Sequence, residues 1–206
     1  RNLQISISPK YLEQLAKQGV SEDVSLNGIL GHETGHFIDY PGSVLNLLRL
    51  HKIARENLDE EKAFGLRESF LNVQNNTNLV QNKGYESIPV ISKPEAVKAQ
   101  GLDKIFFGLY QKLWNKDLGV KLGRKEKGLV KEMQKIDYLN KNNQEQNFRK
   151  FINIIKDYQT QEQGNQKEKK EQGSQKDSNG NQNGEQEQGQ NQVSSLDAFS
   201  DNQIRE

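Results

Sequence analysis

A chain of 206 residues with a formal net charge of +1 has no bulk field to draw in nucleic acid or a membrane surface. It has no cysteine, which excludes a disulfide frame and a thiolate metal site. No run is long and apolar enough to span a bilayer, and the length suits one domain plus additional material.

In residues 2–8, Leu3, Ile5 and Ile7 alternate with polar positions, the period-two pattern of a strand. Ser8 and Pro9 then read as the N-cap and first position of a helix that carries Tyr11, Leu12 and Leu15 and stops at Gly19. Ser21, Glu22 and Asp23 open a second helix, closed by Asp39, Tyr40, Pro41 and Gly42. Ser43 caps a helix over residues 44–57, and Asp59 caps one over residues 60–79. Residues 83–94, with Gly84 and two prolines, read as a loop. Further helices are expected over residues 103–115, 124–138 and 144–157. Phe106, Phe107, Leu109, Leu113 and Trp114 form an apolar cluster that reads as core.

Residues 158–193 are almost wholly Gln, Asn, Gly, Lys, Glu, Ser and Asp. Such a stretch cannot bury enough apolar surface to offset its ordering entropy, so a disordered linker is expected. Residues 194–206 follow as a short island, Leu196, Phe199 and Ile204 around Asp197 and Asp201, a candidate docking segment for a partner protein. The globular domain is then residues 1–157. The chain begins at Arg1 rather than Met and reads as trimmed or partial; a cytoplasmic location is the expectation.

The chemistry concentrates at His32, Glu33 and His36, a His-Glu-x-x-His pattern that uses two of the three histidines. The spacing puts both imidazoles on one face of a helix, where they can grip one zinc ion with Glu33 beside it as a general base. Chance gives this pattern in on the order of one chain in a hundred of this length, or fewer. Its flanks are apolar (Ile29, Leu30, Phe37, Ile38), which suits a half-buried helix better than a solvated one. Gly35 removes a side chain between the two histidines and would let another element pack closely.

The motif resembles that of the zincin metallopeptidases. Residues 37–43 contain no third histidine, so the resemblance is to the gluzincin-type branch, and the compact archaeal minigluzincins are similar over residues 26–80. It implies a mainly α (α+β) domain with a ligand-bearing second helix and at most a small edge-strand ribbon, for which residues 4–8 are the candidate. It also implies Zn2+, a zinc-activated water with Glu33 as general base, and hydrolysis of a peptide or protein substrate, as an endopeptidase ahead of an exopeptidase. The third ligand should be an acid on the downstream helix. Related archaeal sequences carry Asn-Val/Ile-x-x-Asp there; Asn72 and Val73 match, but Asn76 replaces the acid. Glu61, Glu68, Asn72, Asn75 and Asn76 fall near one face of that helix. Glu68 is the first candidate ligand, Asn76 the alternative, and Glu60 or Glu61 follow with the helix in another register. Tyr85 and His51 are candidate oxyanion donors. The competing expectation is a catalytically degenerate zincin scaffold used as a protein-binding module. No nucleic-acid or membrane partner is expected.

Overall fold

The computed structural model describes residues 5–56 and 58–173, with side chains to residue 158. Among these residues the chain is built from helices: α1 (Pro9–Lys17), α2 (Glu22–Ile38), α3 (Val44–Arg55), α4 (Glu60–Gln81), α5 (Ser87–Ala96), α6 (Gly101–Leu113), α7 (Arg124–Met133) and α8 (Gln144–Gly173), with a 3-10 turn over Lys141–Asn143. The starts follow local chemistry. Ser21 Oγ accepts from the Val24 N–H, Ser43 Oγ from the Asn46 N–H and Asp59 Oδ1 from the Lys62 N–H, each satisfying a donor that the helix leaves unpaired. Pro9 opens α1, where no N–H is needed.

Helix α4 runs through the middle of the molecule and packs against α2, α3, α5, α6 and α8. Every residue from Ser69 to Leu79 is buried. On one side Phe70 meets Phe148 at 4.9 Å, Phe151 at 5.3 Å and Tyr138 at 5.9 Å between ring centroids. On another, Trp114 stacks on Tyr110 at 4.4 Å and donates its indole N–H to Thr77 Oγ1. The apolar cluster of α6 is core, as its pattern suggested: Phe106, Phe107 and Leu109 are buried.

Four expectations are corrected. Residues 5–8 of the expected strand are irregular backbone, with no strand among the described residues to pair with; residues 2–4 lie outside those described. Residues 87–96 are a helix, not part of a loop: Pro89 falls in the first turn, where its missing N–H costs nothing, while Pro94 lies inside the helix and removes one of its backbone hydrogen bonds. The helix begun at Arg124 closes at Met133, and residues 134–138 turn so that Ile136 and Tyr138 enter the core. Residues 158–173, expected as linker, continue α8. Gln, Lys and Glu are good helix formers, and a helix closes its own backbone hydrogen bonds without a core. Residues 174–193 of the expected linker and the 194–206 island lie outside the described residues.

Candidate metal centre

Helix α2 carries three buried glycines, Gly28, Gly31 and Gly35, that weaken it intrinsically by about 1 kcal/mol each relative to alanine. Packing explains them. A side chain at Gly28 would run into Ile91 of α5, at Gly31 into the Tyr85 ring, and at Gly35 into the amide of Asn75. These close approaches bring α4 and α5 against the face that carries His32 and His36.

The contact between α2 and α4 is made by three asparagines. His32 Nδ1 lies 2.7 Å from Asn76 Oδ1. Asn75 Nδ2 donates to the backbone carbonyl of His32 at 2.8 Å. Asn72 Oδ1 lies 2.8 Å from His36 Nε2. The histidines are four positions apart, as are Asn72 and Asn76, so two helical rungs face each other. The imidazoles themselves meet edge to face, 4.6 Å between centroids.

Protonation follows from the partners. Burial, and then the neighbouring His36, push His32 down to about 3, so it is neutral at pH 7. Its single N–H is needed at Nδ1 to donate to Asn76, which leaves Nε2 unprotonated. His36 Nδ1 faces the Tyr40 carbonyl at 2.9 Å, an obligatory acceptor, so Nδ1 carries a proton. Its Nε2 faces the oxygen of Asn72, a contact that needs a proton between the two atoms, a rotated amide, or a cation. Beside them, burial raises Glu33 to about 7. Behind His32 is a cavity of about 10 Å³, room for a single water, lined by His32, Asn76, Ser92, Glu95 and Tyr110.

The sequence candidates separate. His32, Glu33 and His36 occupy adjoining positions on α2, and Asn76 meets His32. Glu68 is engaged with its neighbour Arg67, which donates to Oε1 from Nε at 2.8 Å and Nη2 at 2.6 Å. Glu60 pairs with His51 and Arg55, and Glu61 is exposed. Among the described residues no three His, Cys, Asp or Glu side chains converge as a metal-binding group. His51 Nε2 lies 3.0 Å from Glu60 Oε1, and the Tyr85 ring lies against Gly31.

Asn72 and the Tyr40 carbonyl were not singled out as partners of His36. A signal existed. Apolar residues at 66, 70, 71, 73 and 79 surround α4, so its asparagines had to be buried and partnered rather than solvated.

No protein-family model, no curated protein and no solved structure matches the chain. Among the described residues no helix is long and apolar enough to cross a membrane.

Proposed function

We propose that the chain is a zinc-dependent peptide hydrolase in which His32 and His36 hold the metal through Nε2, the Asn72 oxygen is the third protein ligand, and Glu33 is the general base. The reading rests chiefly on the two Nδ1 contacts, His32 to Asn76 and His36 to the Tyr40 carbonyl. They hold both rings in the tautomer a metal ligand needs and fix their orientation. The donor types fit zinc: two neutral imidazoles and an oxygen, with a fourth position for water. Because the set is neutral, it binds zinc less tightly than a set that includes a carboxylate.

When bound, the metal supplies Lewis acidity that lowers the pKa of water towards about 7. Glu33 takes a proton from the attacking water and returns it to the leaving amine. Asn76 and the Tyr40 carbonyl orient the imidazoles. The resemblance to zincins points to a peptide bond as the substrate. His32→Ala or His36→Ala should release the metal, while Glu33→Gln should keep the metal and lose peptide hydrolysis. Turnover by the Glu33→Gln protein would contradict the assignment.

A second reading, a catalytically degenerate scaffold that binds a protein partner, is favoured by one observation. The amide of Asn76 stands where the resemblance implies an acid. A chain that retains no zinc after dialysis and cannot be reloaded supports this second reading.

A further inference from the structure

The turn joining α2 to α3 carries large apolar side chains that the fold does not cover. Phe37 is 66 % exposed, Ile38 59 %, Val44 72 %, Leu45 58 % and Leu48 59 %. Five such residues within twelve positions are not the scattered apolar surface of an ordinary monomer. The outer face of α3 continues from Val44, Leu45 and Leu48 into Arg49 and Lys52, both exposed, while Leu50, Ile53 and Ala54 point inward. Helix α3 contains no acidic residue.

Basic side chains outnumber acidic ones around the patch. Asp39, next to Ile38, is bound by both Lys83 and Lys141, so this group carries a net positive charge. Beyond α3, Glu56 is taken up by Arg149 and Glu60 by Arg55 and His51. The near-neutral chain total averages this local excess away.

We infer that the Phe37–Leu48 patch and its basic rim dock on an anionic phospholipid surface. Protruding Phe and Leu side chains enter the acyl boundary while Arg49, Lys52, Lys83 and Lys141 meet the headgroups. A protein partner would need a matching apolar, acidic surface; a bilayer needs no shape complementarity. Phe37 lies one helical turn beyond Glu33, so docking sets the candidate centre at the lipid boundary. The inference does not depend on zinc, and the metal-free chain should dock as well as the loaded one.

The test is co-sedimentation of the full chain with vesicles of phosphatidylcholine, with and without about 30 % phosphatidylserine. The chain should pellet with the anionic vesicles, and high salt should release it. Leu45→Ser/Leu48→Ser and Arg49→Gln/Lys52→Gln should each weaken partitioning by about tenfold or more. Both pairs are exposed, and thermal melts should confirm that the variants fold. Failure of the wild-type chain to bind, equal binding to neutral vesicles, or unchanged binding by both double variants would overturn the inference. So would a dimer that Leu45→Ser/Leu48→Ser splits in the absence of any vesicle binding, since a second copy would then cover the face.

Discussion

His32 and Asn76 meet through Nδ1 and Oδ1 at 2.7 Å, deep between α2 and α4, and this contact orients a histidine that has no access to solvent to speak of. Asn76 is itself held by Tyr110, to whose oxygen its Nδ2 donates at 3.4 Å. In the proposed centre Asn76 would therefore act on a metal through His32, whereas Asn72 faces His36 directly.

That difference predicts an order of effects on zinc. Asn76→Ala should weaken zinc binding by about 10–100-fold by releasing the imidazole. Glu68→Ala should leave zinc affinity within about twofold, because its carboxylate is occupied with Arg67. Isothermal titration of the two variants checks this, and a reversed order would move the third ligand to Glu68.

Gly35→Ala should destabilise the fold by about 1–3 kcal/mol. The added methyl gains about 1 kcal/mol of helix propensity but overlaps Asn75, whose amide is anchored on the His32 carbonyl and cannot swing away. Gly65→Ala, where nothing lies within 4 Å, should instead be neutral or stabilising. In a urea-denaturation double-mutant cycle, Asn75→Ala should absorb part of the Gly35→Ala cost. Simple additivity would contradict the clash.

Much of this site was legible from spacing. His32, Glu33 and His36 announce a helix face, and the caps at Ser21, Ser43 and Asp59 set three helix starts where the structure has them. What spacing could not give was the partner across the interface. The apolar residues around α4 mark Asn72, Asn75 and Asn76 as buried, but nothing in the sequence pairs them with α2, and the Tyr40 carbonyl is a backbone group with no side-chain signature. Glu68 attracted attention as an acid at a suitable interval, yet Arg67, its neighbour in sequence, takes the carboxylate. The prolines of α5 suggested a loop because breaker residues carry weight locally; Pro89 is harmless in the first turn, and Pro94 is tolerated inside a helix whose Ile88 and Ile91 are buried.

Glu95 predicts a pH dependence of stability. Burial, and then Asp103, raise its pKa from 4.5 to about 7, with Lys98 and Tyr11 acting in the opposite direction. The folded state therefore holds its proton more tightly than the unfolded chain does. The wild-type fold should lose stability as pH rises from about 4.5 to 7, by about 2 kcal/mol from this group. Glu95→Gln should flatten that slope. Parallel slopes for the two proteins in denaturant melts from pH 4 to 8 would refute it.

Residues beyond Tyr158 should add helix without adding core. Phe148, Phe151, Ile152 and Ile155 are buried, so a chain ending at Tyr158 keeps every described core residue of α8. Its melting temperature should stay within about 2 °C of the full chain while the far-ultraviolet helical signal falls. A large drop in melting temperature would mean that the removed residues hold the domain together.

The most direct measurement is a zinc titration of the wild-type chain beside Asn72→Asp, with bound metal counted after dialysis. The account predicts one zinc per chain for both, bound about tenfold or more tightly in Asn72→Asp, because a carboxylate replaces a neutral oxygen facing His36. Absence of zinc from both proteins, or identical affinity in the two, would contradict it.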